Sequence, residues 1–161
     1  MARWAAVAAL LAWSFAPPPA AAEEGCPFLS DAEVEELTGR KQFLKFNAMQ
    51  MPDGSGIVCA SPIVTVLVLV GEDSESRWEE LLQGAGRAET PRLPVEGLGD
   101  NAYALHFEPR TAYEYPTAAV VVTSESFTLG VSVEAEEGKA AETVHAQAVE
   151  LAGIALSRVT P

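Results

Sequence analysis

Histidine is scarce in this chain, with only two among its 161 residues. His106 and His145 lie far apart in the sequence, and neither has a second histidine four positions on or a glutamate at metalloprotease spacing. Metal sites recruit clusters of ligands, so we interpret each imidazole as a boundary residue of the core, with a ligand or a general base as the alternative. The sequence therefore predicts no metal and no cofactor.

The motifs that mark common enzyme classes are also absent. The chain has no G-x-S-x-G nucleophile elbow, no phosphate-binding loop and no dinucleotide fingerprint. These absences favour a non-catalytic protein. The alternative is a small extracytoplasmic enzyme that uses His106 or a loop acid such as Asp100, although an aspartate beside Gly99 is also typical of a turn.

Two acidic clusters lack the ligand spacing of a calcium site. They consist of Glu72, Asp73 and Glu75, and of Glu134, Glu136 and Glu137. Neither shows the alternating oxygen ligands and central glycine of an EF-hand loop. Both precede or begin a predicted helix, where the exposed amides and the helix dipole favour negative charge. The clusters are therefore explained without a metal ion.

The first 22 residues have the pattern of a secretory signal peptide. Arg3 is the lone charge near the amino end, residues 4–16 are almost wholly apolar, and Ala20, Ala21 and Ala22 supply a small-x-small cleavage site. The apolar run has about 13 residues, whereas a membrane span needs roughly 20. We predict cleavage after Ala22, a single domain over residues 23–161, no stable membrane anchor, and a periplasmic or secreted protein.

The chain has two cysteines, Cys26 and Cys59. Lipidation of Cys26 would need small or apolar residues before it, but Glu23, Glu24 and Gly25 stand there. An oxidising compartment favours one disulfide between the two cysteines, with two free buried thiols as the alternative. Closing a loop of about 34 residues would stabilise the fold by roughly 3 to 4 kcal/mol.

Basic residues are outnumbered by acidic ones. Removal of residues 1–22, which include one arginine and no acid, leaves 139 residues with 9 basic and 23 acidic side chains, a net charge of −14. Such a surface repels phosphate backbones and anionic membranes. The length predicts one ordinary domain, and the charge disfavours nucleic acid as a partner.

Helix and strand signals alternate along the rest of the chain. A capping box at Ser30 and Glu33 begins a helix that ends at Gly39. Further helices are predicted over 72–86 and about 139–159, and strand patterns over 41–51, 57–61, 63–70, 101–107, 118–124 and 127–133. Short turns between strands favour an antiparallel sheet. We predict a single α+β domain in the order α-β-β-α-β-β-β-α, with about five strands and the helices packed on one face.

The segment 107–116 carries residue types that are typical of interfaces. Arg110, Tyr113 and Tyr115 lie between two predicted strands, in a segment with two prolines. Tyrosine and arginine dominate interface hot spots, although tyrosines at a sheet edge also cover the core. We expect this loop to contact a partner. A secreted inhibitor that acts through the same loop is a further alternative.

Several segments together resemble a known family. They are CPFLSDAEVEELTG (26–39), a second cysteine before an apolar strand, VEGLGDNAYA (95–104) and an Ala/Leu-rich closing helix. The chain is similar to small bacterial envelope proteins, many of them lipoproteins, related to the extracellular sensor domain of PknH-type kinases. The resemblance implies an α+β module that binds a protein or a small ligand, and it implies no catalytic residues. Many such relatives carry a lipobox, which Glu23, Glu24 and Gly25 replace here.

Overall fold

The computed structural model describes residues 25–41 and 45–159. The predicted signal peptide and its cleavage site lie outside these residues, as do positions 42–44 of the first predicted strand. The elements are α1 (Asp31–Thr38), β1 (Asn47–Gln50), β2 (Gly56–Ala60), β3 (Val64–Val70), α2 (Ser74–Gly84), β4 (Leu93–Pro94), β5 (Ala102–Phe107), β6 (Thr117–Thr123), β7 (Phe127–Glu134), a 3₁₀ turn (Ala141–Val144) and α3 (His145–Val159).

The strands form one antiparallel sheet in the order β1-β2-β3-β7-β6-β5-β4. The α+β class and the antiparallel sheet are confirmed, but the described part of the chain has seven strands rather than about five. The apolar stretch on either side of Pro62 forms two strands, and the two-residue β4 pairs with β5. A strand of two residues is too short to show a period-2 pattern, and Pro94 fits there because an edge position needs no amide hydrogen.

Helix α1 begins and ends where its sequence predicts. The Ser30 hydroxyl accepts a hydrogen bond from the Glu33 amide at 3.3 Å, and the Glu33 carboxylate accepts one from the Ser30 amide at 2.8 Å. Gly39 follows the helix with a φ of 66°, in the left-handed region that favours glycine. The residues at its two ends therefore determine where this helix begins and ends.

The prediction that all helices pack on one face of the sheet is wrong. The main core lies between one sheet face and α1 and α3, with Leu129 and Val131 of β7 and Leu151 of α3 among its members. Helix α2 packs on the opposite face, where Trp78 and Leu82 belong to a second core with Leu69, Leu105, Ala119 and Val121.

Gly130 makes room for helix α2. A Cβ at this position would lie 3.0 Å from two ring carbons of Trp78. Its neighbours on β7 alternate, so Leu129 and Val131 face α3 while Gly130 faces α2. The alternating pattern of residues 127–133 separates an apolar side from a side with small residues. The indole ring of Trp78 packs on the side with the small residues.

Cys26 and Cys59 form the predicted disulfide, with their Cα atoms 5.6 Å apart. The bridge joins the segment before α1 to β2. A disulfide indicates an oxidising, extracytoplasmic environment. Within the described ranges, no helix combines the length and the apolarity that a membrane crossing requires.

Arg158 near the end of α3 holds the amino-terminal segment in place. Its guanidinium contacts both carboxylate oxygens of Glu33, at 2.9 and 2.5 Å, and donates to the Phe28 carbonyl at 2.9 Å. The pKa of Glu33 is lowered to about 2, chiefly by the hydrogen bonds from Arg158. Burial raises this pKa, but the hydrogen bonds from Arg158 and Ser30 together outweigh that effect. The pair thus joins the first helix to the last.

Candidate binding site: the tyrosine loop

The segment 107–116, which we call the tyrosine loop, connects β5 to β6 at one end of the sheet. Tyr113 is 94% exposed, and Tyr115 is about half exposed. Tyr113 therefore does not cover the core, which was the structural alternative for these residues. Two aromatic side chains that are two positions apart in sequence are thus exposed to solvent on the loop between two paired strands.

Ionic contacts hold the base of the tyrosine loop. The Glu114 carboxylate accepts hydrogen bonds from the Arg110 amide at 2.9 Å and from the Arg87 guanidinium at 3.0 Å. Arg87 also donates to the Glu108 carbonyl at 2.8 Å, and its guanidinium carbon lies 5.2 Å from the centre of the Phe107 ring. These contacts join both arms of the loop to the segment that follows α2.

The side chain of Arg110 contacts the carboxyl end of helix α2. Its guanidinium donates to the carbonyl of Ala85, the residue that caps the carboxyl end of α2. A cation at this end of a helix is favoured by the free carbonyls and the helix dipole. All three predicted binding residues lie on the surface, and Arg110 in addition joins the loop to the end of α2.

An acidic groove lies beside Tyr115. It has a volume of about 470 Å³ and is lined by Arg40, Pro62, Tyr115 and residues 134–137. Arg40 donates to the backbone carbonyl of Glu134 at 2.6 Å. Burial raises the pKa of the Glu134 carboxyl group, an effect that Arg40 partly offsets. The groove therefore combines carboxylates with an aromatic ring and one guanidinium.

The two acidic clusters show no metal-site geometry. Asp73 forms an ion pair with Arg77 at 3.0 Å, on the first turn of α2, and it makes no side-chain cap bond. The cluster at 134–137 lines the acidic groove. Among the residues that the structure describes, no group of three or more His, Cys, Asp or Glu side chains is arranged to hold a metal ion.

The two histidines, which the sequence presents as isolated, lie in contact. His106 Nε2 is 3.0 Å from His145 Nδ1, and the rings are nearly perpendicular with centres 5.1 Å apart. The Glu142 carboxylate lies 3.5 Å from His106 Nδ1. His106 shares its face of β5 with Ala102 and Ala104, which pack in the main core, so the alternation along β5 already indicated that it points towards a helix. The contact itself depends on how α3 crosses the sheet.

Asp100 is not part of this cluster. It is exposed in the turn before β5, whereas His106 lies near the end of that strand. The strand from Ala102 to His106 alone spans about 13 Å. Asp100 and His106, either of which the enzyme alternative would use, are therefore not brought together, and Gly99, with a φ of 107°, gives Asp100 the setting of a turn residue.

Comparison with known proteins found no match. No family model, no curated protein and no solved structure matches this chain.

Proposed function

We propose that this protein is an exported, non-catalytic module that binds a protein partner through the tyrosine loop. The observation that carries the proposal is Tyr113, a fully presented aromatic side chain on a loop whose base is fixed by Arg87, Arg110 and Glu114. Tyrosine is enriched in interface cores because it offers a large contact area with few rotatable bonds. A loop that is already held in place loses less conformational entropy on binding.

The charge around the loop indicates the kind of partner surface. Tyr115 lines the acidic groove together with Glu134, Glu136 and Glu137. Complementary charge steers association and fixes the register of two surfaces. We therefore expect basic residues of the partner to face this groove while Tyr113 inserts into an apolar pocket.

The proposed compartment is the periplasm or the exterior of the cell. The disulfide supports an oxidising environment, and the leader pattern supports export. Intact-mass measurement of the protein recovered from the envelope should give the mass of residues 23–161 with one disulfide and no lipid. A mass increased by a diacylglycerol group at Cys26 would contradict the proposed release from the membrane.

Affinity capture with matched surface variants tests the binding proposal. The exported mature protein is immobilised and exposed to envelope extract, in parallel with Tyr113→Ala and Met49→Ala. Met49 is also a large, exposed apolar residue, but it lies on the strand β1 at the other edge of the sheet. We expect Tyr113→Ala to lose the captured protein and Met49→Ala to keep it.

Circular dichroism should show both variants folded, because neither side chain is buried. Equal capture by the wild-type protein and Tyr113→Ala would contradict the proposal. An inhibitor is the second candidate, since the tyrosine loop is held at its base and is exposed along residues 108–115. It predicts that the captured partner is an enzyme whose activity falls when the wild-type protein, but not Tyr113→Ala, is added.

A further inference from the structure

The only two histidines of the chain form one hydrogen bond between two elements of the fold. His106 lies near the end of β5, and His145 is the first residue of α3. Their nitrogen atoms are 3.0 Å apart. An imidazole can accept a hydrogen bond only through an unprotonated nitrogen, so the contact constrains how many protons the two rings can hold. We refer to His106 and His145 together as the histidine pair.

The neighbouring carboxylate favours one arrangement of protons. Glu142 Oε1 lies 3.5 Å from His106 Nδ1, which favours hydrogen on that nitrogen and leaves Nε2 as the acceptor. In this arrangement His145 Nδ1 donates to His106 Nε2. One additional proton is tolerated, because a lone pair remains on one of the two facing nitrogens. A second additional proton is not, because both facing nitrogens would then carry hydrogen.

The described neighbours of His106 offer little compensation for two positive charges. The Glu142 carboxylate of the 3₁₀ turn lies 3.5 Å from His106 Nδ1, and its side chain is largely exposed, so solvent screens its attraction. The residue opposite His106 on β6 is Ala118, and the 3₁₀ turn contributes the buried, uncharged Ala141 and Val144. The His106 side chain is only 17% exposed, so repulsion between two adjacent imidazolium rings would be weakly screened.

We propose that the histidine pair is an acid-sensitive contact that holds the 3₁₀ turn and the start of α3 against the end of β5, and that protonation of both rings opens it. Imidazoles change charge between about pH 5 and 8, a range that an extracytoplasmic protein meets. The tyrosine loop begins at Phe107, directly after His106, so opening loosens the strand end from which that loop extends. This proposal is independent of whether the loop binds a partner.

Hydrogen exchange tests the opening directly. Amide exchange of the intact protein is followed by mass spectrometry at about pH 7.5 and about pH 5, with correction for the intrinsic pH dependence of exchange. We expect peptides from residues 102–107 and 141–148 to exchange at least about ten-fold faster at the lower pH, because local opening exposes their amides. Peptides from α1 should not change, because the pKa of Glu33 is about 2 and its contact with Arg158 is intact in this range.

Two variants separate the histidine pair from general acid effects. His106→Gln and His145→Asn each place an amide where the facing nitrogen was, so one hydrogen bond is kept while one titrating group is removed. We expect the acid response of both peptides to vanish in either variant. The proposal is overturned if the wild-type protein exchanges equally at both pH values, or if the variants keep the wild-type response.

A second measurement uses the wild-type protein alone. Long-range proton–nitrogen spectra of the imidazole rings at neutral pH distinguish the tautomers. We expect both histidines to carry hydrogen on Nδ1. A proton on Nε2 of neutral His106 would overturn the proposed order of donors and acceptors, whatever the variants do.

Discussion

The ion pair of Glu33 and Arg158 should make stability depend on pH in the acid range. The Glu33→Gln variant removes the charge while keeping the size of the side chain. Lowering the pKa of Glu33 from 4.5 to about 2 corresponds to a contribution of at most about 3.4 kcal/mol to the free energy of unfolding. The side chains of Glu33 and Arg158 are 26% and 39% exposed, so solvent screening reduces the expected loss to about 1–2 kcal/mol at neutral pH.

The direction of the pH effect follows from the lowered pKa of Glu33. Folding favours the ionised carboxylate, so its contribution is complete above the unfolded value of 4.5 and is lost as the pH falls towards about 2. The difference in stability between the wild-type protein and Glu33→Gln should therefore shrink over this range and vanish at its lower end.

Urea unfolding followed by the fluorescence of buried Trp78 gives the free energy of unfolding at each pH. Glu36→Gln is the matched control, because Glu36 lies on the same helix and is exposed, and we expect its stability to stay within about 0.5 kcal/mol of wild type. A loss in Glu33→Gln that is equally large at neutral pH and at about pH 2 would refute the reasoning, as would no loss at all.

Three further perturbations test the core and its covalent constraint. Gly130→Ala should destabilise by about 1–3 kcal/mol, since the new methyl group would meet the ring of Trp78, and urea unfolding will measure it. Gly84→Ala, within α2 and with open space around the added atom, should instead stabilise by about 0.5–1 kcal/mol in the same assay. Replacement of both Cys26 and Cys59 by alanine should cost roughly 3–4 kcal/mol by the chain-entropy argument, and thermal unfolding should show a lower midpoint.

The sequence was sufficient where the determining chemistry is local. The Ser30 and Glu33 side chains cap α1 through bonds that span three residues, and Gly39 ends it directly after Thr38. The final hairpin was equally predictable, because alternation over residues 127–133 places Leu129 and Gly130 on opposite faces whatever surrounds them. The disulfide followed from a count of two cysteines.

The sequence was insufficient to predict on which face of the sheet a helix packs. The apolar face of α2, with Trp78 and Leu82, fits either face of the sheet equally well by periodicity. Helix α2 packs where Gly130 leaves room for the Trp78 ring. Strand β6 offers apolar residues on both faces, such as Val120 in the main core and Val121 in the second core. The periodic pattern of α2 contains no information about that partner surface.

The candidate site shows the same division. Tyr113 is exposed on the loop that the sequence placed between two strands, and its contact with a partner stays a prediction. The guanidinium of Arg110 donates to the carbonyl of Ala85, which is 25 positions away. The histidine pair joins residues that are 39 positions apart. Contacts of this kind depend on tertiary packing, which a single sequence does not display.

The disulfide also determines how the molecule would respond to mechanical force. Helix α1 and most of the first hairpin lie between Cys26 and Cys59, inside a covalent ring. A pull on the amino-terminal end reaches Cys26 and passes through the sulfur bridge to β2, which is paired along its length with β3. The force is thereby carried to the interior of the sheet, while α1 and β1 lie outside its path and cannot be extended until the bridge is reduced.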